Sequence, residues 1–298
     1  MKRDAVGWLV KAHQVSVRRA CRTVDLSTAT LRYRRRGRRD NTALLDKLKT
    51  HAAVRARFGY RRLHTLVARE GIVANHKRVY RVYREANLQV RRRHRRRLTQ
   101  QERKPLPVPT GPRERWSMDF TSDTLGDGRS FRTLNIVDDF TRECVAIEVD
   151  RSLPGLRVVR VLNRLLETIG LPKAIVLDNG PEFAGRTLEA WAYQANVELR
   201  FIRPGKPIEN AYVESFNGKF RDECLNEHWF ASVTEAQEVI EAWRIDYNTV
   251  RPHGSLKKLT PAAYTAACAR ALAGEGACSP ALAANEQEQN PDGLTLSV

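Results

Sequence analysis

Apolar residues recur along the first ninety positions at the three- and four-residue spacing of a helix face, and from Arg115 onward the pattern changes to alternation and short apolar runs. Residues 16–36, SVRRACRTVDLSTATLRYRRR, predict a helix, a short turn and an Arg-rich second helix that Ser27 or Thr28 can cap. A further amphipathic helix is predicted over 43–57. The stretch FGYRRLHTLVAREGIVANHKRVYRVYREANL then predicts a helix ending at Arg69, a break at Gly71 and a helix from about Asn75 to Asn87. In this last helix Val79, Val82 and Tyr83 face inward and leave Arg78, Arg81 and Arg84 outside.

The second half reads differently. RWSMDFTSDTL alternates, with Trp116, Met118 and Phe120 on one face and Ser117, Asp119 and Thr121 on the other. Asp127-Gly128 signals a hairpin, so SFRTLNIVDDF and ECVAIEVD complete an antiparallel meander. A helix is predicted over 155–169, closed by Gly170 and Pro172. AIVLDNG is a continuous apolar run ending at Asp178, the signature of a strand buried on both faces. A helix at about 184–195, the strand ELRFI, the loop RPGKP, a helix with Pro207 in its first turn and a last helix at about 234–247 follow. The order β-β-β-α-β-α-β-α-α implies a mixed sheet covered by helices.

One helix has an unusual border. In ENAYVESFNGKFRDECLNEHW the residues Val213, Phe216, Phe220 and Cys224 form a core stripe, and immediately beside it run Asn210, Glu214, Asn217 and Arg221. A surface helix with a charge pair is the plain reading of that arrangement. Two other carboxylates change it. Asp119 lies on the first strand opposite its apolar residues, and Asp178 ends the buried strand, at the edge where open α/β sheets bind ligands. Thirty-five residues separate Asp178 from Glu214, the length of a helix, a strand and a return to the sheet edge. Three carboxylates brought together repel by roughly 1–4 kcal/mol per pair at ~4 Å. A divalent cation removes that cost, and hard oxygen ligands suit Mg²⁺ or Mn²⁺. Two such ions could act on both sides of a phosphodiester. Asp138-Asp139, also at a strand end, read instead as turn caps.

Charge supplies the partner. Residues 1–115 hold 33 of the 52 Lys+Arg and 8 of the 34 Asp+Glu, a net +25, whereas the remainder nets −7. A block so basic calls for a polyanion, and small helical units with a basic second helix dock in the DNA major groove. A solvated basic face on a bundle is the plainer alternative. The run RRRHRRR, including Arg91, Arg92 and Arg93, followed by QQERKPLPVPTGPRER, reads as a phosphate-seeking linker that adds affinity without sequence specificity. The organisation expected is therefore a basic helix-turn-helix-like segment at 1–40, a second at 41–90, a linker at 91–114, a core at 115–262 and a disordered tail at 263–298 beyond a short helix.

The five cysteines are scattered without C-x-x-C, as in reduced intracellular proteins. The six-residue apolar run before Lys11 is too short for a signal peptide, and no run approaches the ~20 residues of a membrane span. A cytoplasmic, nucleoid-associated protein that does not engage membranes is expected.

The motifs WSMDF, VLDNGPEF, PGKPIENAYVESFNGKFRDECLN and YNTVRPHGSL, in this order, resemble those of the integrase-core transposases of bacterial insertion sequences whose catalytic half is encoded by a second reading frame. RFGYRRLHTLVAREG with KRVYRVYRE is similar to that class's helix-turn-helix, and the resemblance spans residues 43 to about 262. It implies an α/β ribonuclease H-like fold preceded by a basic all-α region, and a DDE site in which Asp119, Asp178 and Glu214 hold two Mg²⁺ or Mn²⁺ ions and Arg221 serves as the accompanying basic residue. It implies 3′-end strand cleavage and strand transfer on double-stranded DNA, both element ends and target. A homo-oligomer on DNA and a partnership or frameshift fusion with the upstream-frame protein also follow. No zinc is expected, because His51, His64 and His76 have no C-x-x-C to join. Lys206 is expected to contact a DNA phosphate, Asn179, Asn210 and Asn217 to orient metal-bound waters or DNA or simply to cap, and His253 either touches DNA or is a structural histidine. Two alternatives compete: a catalytically silent, element-derived repressor, and a ribonuclease H-type nuclease, which leaves the helix-turn-helix units unexplained.

Overall fold

Three helices, α1 (Lys2–His13), α2 (Val17–Thr23) and α3 (Thr28–Arg32), pack Val6, Leu9 and Val10 of the first against Ala20 and Cys21 of the second. The computed structural model describes residues 1–33, 40–90, 108–183, 185–203 and 210–272. The chain divides into two compact units, Met1–Ala43 and Leu44–Val298. In the first unit Ser16 and Ser27 accept hydrogen bonds from the amides of Arg19 and Thr30, so Ser27 caps α3 as expected. Two features differ from the sequence reading. The helix predicted to continue through residue 36 is seen only to Arg32, with Arg34–Arg39 outside the described residues. The other is α1, which went unrecognised because its apolar stripe is only three residues and is interleaved with charges.

In the second unit, α4 (Thr42–Val54), α5 (Tyr60–Arg69) and α6 (His76–Glu85) form a tri-helical module around Leu44, Leu48, Phe58, Leu63, Val67, Val79, Val82 and Tyr83. Gly71, at φ +86°, makes the break after α5, and Asn75 caps α6 by accepting from the Lys77 amide. Apolar residues every three or four positions gave these helices their buried faces; the same arithmetic leaves Arg81 and Arg84 exposed and Arg78 half-buried.

The sheet has five strands: β1 (Arg115–Thr124), β2 (Ser130–Asp138), β3 (Cys144–Asp150), β4 (Ala174–Leu177) and β5 (Glu198–Phe201). Their spatial order is β3-β2-β1-β4-β5, with β1–β2 and β2–β3 antiparallel and β4 parallel to both β1 and β5. This is the ribonuclease H-like arrangement. Helices α7 (Gly155–Thr168) and α8 (Arg186–Ala195) cover one face over Trp116, Met118, Ile136, Ile175 and Leu177. Helices α9 (Ala211–Glu223) and α10 (Val233–Thr249) cover the other over Phe131, Val137 and Val149. Because side chains alternate along β1, the same strand that sends Trp116 and Met118 to the α7 side sends Ser117 and Asp119 toward α9. All four residues of β4 are buried, as a central strand covered on both faces requires.

The short helix expected ahead of the tail is present: α11 (Pro261–Leu272) buries Cys268, and residues from 273 onward lie outside the described residues. One further expectation needs revision. Asp138 is a turn cap, accepting from the amides of Phe140 and Thr141, but Asp139 is not. Its carboxylate is 1% exposed and accepts from Arg115 Nε at 2.5 Å and Ser117 Oγ at 2.6 Å, a buried ion pair that ties the end of β2 to the start of β1.

Candidate active site

Asp119 sits mid-strand on β1, opposite Asn135 of β2 in the register. Its Oδ1 accepts from the Phe120 amide at 2.8 Å and its Oδ2 from Asn217 Nδ2 of α9, also at 2.8 Å. Asn217 Oδ1 in turn accepts from Asn135 Nδ2 at 2.8 Å, and Asn135 also donates to Thr121 Oγ1 at 3.0 Å. The polar border of α9 therefore has a structural reason. Asn217 spans from a fully buried strand amide to the Asp119 carboxylate and fixes the helix against the sheet.

Asp178 follows β4, where its Oδ1 accepts from the Gly180 amide at 3.0 Å. A Cβ at residue 180 would lie 3.0 Å from that same oxygen, so any other residue there would press on the Asp178 side chain. Glu214 lies exposed in the first turn of α9. Burial pushes the Asp119 carboxyl up to about 6; its Phe120 hydrogen bond opposes the shift, and the negative charges of Asp178 and Glu214 add to it. Partial burial raises Glu214 as well. The three side chains thus share one electrostatic environment, and among the described residues none of them is paired with a Lys or Arg. Nor do any three His, Cys, Asp or Glu among the described residues form a ready-made ligand set. Asp119 is the member of the three that senses the charges of both others.

A carboxyl whose folded-state pKa lies above its unfolded value of 3.8 is protonated in both states at low pH and penalises only the folded state once it must ionise. Measured without divalent cation, the wild type should therefore lose stability relative to Asp119→Asn as pH rises from about 4 through about 6, then hold a constant gap. Thermal unfolding of the two proteins across that range checks this; a gap independent of pH would contradict it.

Arg221 is exposed, and Nη2 donates to the Ser122 carbonyl at 3.2 Å rather than to Glu214. Of the residues expected to contact DNA, Arg81 and Arg84 point outward and Arg78 is half-buried. Arg91, Arg92, Arg93 and Lys206 lie outside the described residues. Two of the residues expected to contact DNA are held by the protein. Asn210 is 3% exposed and donates to the Met118 carbonyl at 3.1 Å, which leaves its amide inside the protein. Asn217 is spent on Asp119 and Asn135. His253 is 4% exposed, edge-on to the Tyr247 ring, and burial together with the nearby Arg251 holds it at about 2, so it is a neutral structural histidine.

Sequence reasoning missed three contributors. Asn135 was detectable as a lone amide between the apolar residues Leu134 and Ile136 of β2. Arg132 pairs with Glu182 and lies 4.5 Å over the Phe120 ring, beside the Asp178 turn. Glu223, at the last position of α9, had no sequence signal, since its partners come from far along the chain.

The chain is similar to known proteins along most of its length. Two integrase core domain models match residues 109–207 and 195–261, and an HTH-like domain model matches residues 39–96. The uncharacterized 31.7 kDa protein of insertion element IS407 from Burkholderia multivorans is 53% identical over 85% of this chain and 91% of its own. The uncharacterized 39.2 kDa protein of insertion element IS476 from Xanthomonas euvesicatoria is 45% identical over 89% of this chain and 77% of its own. Among solved structures, the HTLV-2 integrase catalytic core domain in complex with magnesium is 16% identical with a TM-score of 0.41, covering 52% of this chain and 97% of that one, too loose a likeness to add to the assignment.

Helix-turn-helix module and integrase core together define a protein of the transposase/integrase class, a polynucleotidyl transferase that acts on DNA. The chain belongs to the insertion-sequence transposases of the second-reading-frame type. Among the described residues no helix is long and apolar enough to cross a membrane.

Proposed function

We propose that this transposase cleaves a strand at the 3′ end of its insertion sequence and transfers the freed 3′-OH to a second phosphodiester, with Asp119, Asp178 and Glu214 as the acidic ligands of its site. What supports this reading is that Asp119 on β1 is acted on by the negative charges of Asp178, at the end of β4, and Glu214, on α9, with no Lys or Arg paired to any of the three among the described residues. Burial first, and then uncompensated like charges, raise the cost of ionising Asp119, and hard divalent cations relieve such a site. Bound Mg²⁺ or Mn²⁺, two ions in this reading, would supply charge stabilisation on both sides of an in-line displacement at phosphorus.

The chain's own groups do the rest. The Phe120 amide and Asn217 orient both oxygens of Asp119, and the Gly180 amide orients Asp178, so neither has to reorganise when DNA enters. Arg221, with one N–H on the Ser122 carbonyl and the rest of its guanidinium exposed, is placed to donate to a phosphate near the scissile one. Arg78, Arg81 and Arg84 of α6 are the groove-facing residues of the helix-turn-helix module, with Arg91, Arg92, Arg93 and Lys206 as further phosphate contacts. Two element ends must be brought together for transfer, which calls for a homo-oligomer on DNA, and the upstream-frame protein or a fusion with it completes end recognition.

The test is nicking and joining of duplex oligonucleotides carrying the element's termini in the presence of Mg²⁺. Products that require the three carboxylates support the reading. A wild-type protein that binds these ends and does nothing more is instead a repressor.

A further inference from the structure

The arginines of the tri-helical module do not all face outward. Arg57 Nε of the α4–α5 turn donates to Glu227 at 2.7 Å, Arg69 Nη1 to the Val250 carbonyl at 2.8 Å, and Arg55 pairs with Asp246 of α10. The most buried of these contacts is on the catalytic helix. Arg62 of α5 donates to Glu223 Oε1 at 2.8 Å, and Arg251 grips the same carboxylate with two bonds of 2.7 Å, one to each oxygen. The side chains of Glu223 and Arg251 are only 8% and 3% exposed.

A carboxylate there is costly. Glu223 is the last residue of α9 and Asp222 precedes it, so two acids stand at the negative end of the helix dipole. Burial adds to the cost, yet Arg251 and then Arg62 hold Glu223 below the ordinary carboxylate range. A residue kept charged, buried and at the unfavourable end of a helix is held by its partners. One partner belongs to the core, and the other belongs to the module that reads DNA.

We propose that Glu223 is a positioning residue through which the helix-turn-helix module sets the placement of α9, and with it Glu214 and Asn217 on the same helix. The proposal rests on the assignment of Glu214 as an acidic ligand. Arg251 ties the end of the helix to the core; Arg62 adds the module's hold, so a module seated on DNA transmits its position to the site through one carboxylate.

The experiment uses the full chain and compares wild type, Arg62→Ala, Arg62→Lys and Glu223→Gln. Arg62 is a third exposed at its side chain, so its replacement should leave the fold intact. In Arg62→Ala we expect retained binding to the element-end duplex, nicking reduced about tenfold and a rise of similar size in the Mg²⁺ concentration giving half-maximal rate. Arg62→Lys should restore most of both, and Arg62→Ala combined with Glu223→Gln should be no worse than Glu223→Gln alone. Amide hydrogen exchange should quicken along α9 in Arg62→Ala and stay unchanged along β1, a readout that needs no activity. Wild-type nicking with wild-type Mg²⁺ dependence and unchanged α9 exchange overturns the proposal. So does a parallel loss of binding and nicking at unaltered Mg²⁺ dependence, which makes Arg62 a DNA contact only. Persistent nicking by Glu214→Gln would instead defeat the ligand assignment, whatever α9 exchange shows.

Discussion

Single replacement of Asp119 or Asp178 by Asn, or of Glu214 by Gln, should abolish nicking and joining of element-end DNA while binding persists. Each amide keeps the size and most hydrogen bonds of the acid and removes one negative charge. A cation that neutralises developing charge is worth several kcal/mol, and each ~1.4 kcal/mol is tenfold in rate, so a loss of about a thousandfold or more is expected. DNA binding should hold or tighten slightly, because a charge that repels phosphate is gone. Asp127→Asn is the control: Asp127 sits in the β1–β2 turn, bound to Arg129 at the surface, and its loss should leave nicking unchanged. Gel-resolved cleavage and joining, alongside mobility-shift binding, checks all four variants. Full activity in any of the first three removes that residue from the site.

The largest stability effect should come from Asp139→Ala. Asp139 lies within a knot of charge: Arg115 and Ser117 bond its two oxygens, and the guanidiniums of Arg115 and Arg142 lie 5.6 and 4.0 Å from the Tyr212 ring. Burial pushes the Asp139 carboxyl up, Ser117 and Arg115 pulling the other way, which marks how dry the site is. Truncation leaves the 4%-exposed Arg115 without its carboxylate, and breaking a buried pair from one side costs about 3–5 kcal/mol. Urea unfolding should show this as a lowered midpoint. Replacing both partners at once, Arg115→Met with Asp139→Leu, should cost far less, since the penalty lies in the orphaned charge rather than in the lost attraction. Equal losses in the single and double variants would contradict this account.

The inward arginines revise the reading of the basic block. A net +25 over residues 1–115 suggests a polyanion for every charge, yet Arg55, Arg57 and Arg62 meet acids of the core, while Arg69 meets backbone carbonyls. The excess left for a polyanion is smaller and lies on residues 1–40, on α6 and on the Arg-rich linker. The negative balance of the core has a matching second use: some of its acids receive the module.

Periodicity alone was enough for most of the architecture. Alternation along β1, the unbroken apolar run of β4 and the three-and-four spacing of α5, α6 and α9 each follow from which faces must be buried, and burial is a local property of the pattern. The order of strands and helices then left few topologies open. Asp119, Asp178 and Glu214 could be singled out for the same reason, since each holds a defined place on an element whose face was already known. Partners distant in sequence could not be read this way. That Asn217 bonds Asp119, that Asn210 turns inward to Met118, that Asp139 is a buried ion and not a cap, and that Arg62 and Arg251 share Glu223 all depend on side chains far apart in the chain meeting at hydrogen-bond distance. Hydrophobic burial is decided residue by residue along an element, whereas a polar group's role is decided by whatever folding brings within 3 Å of it.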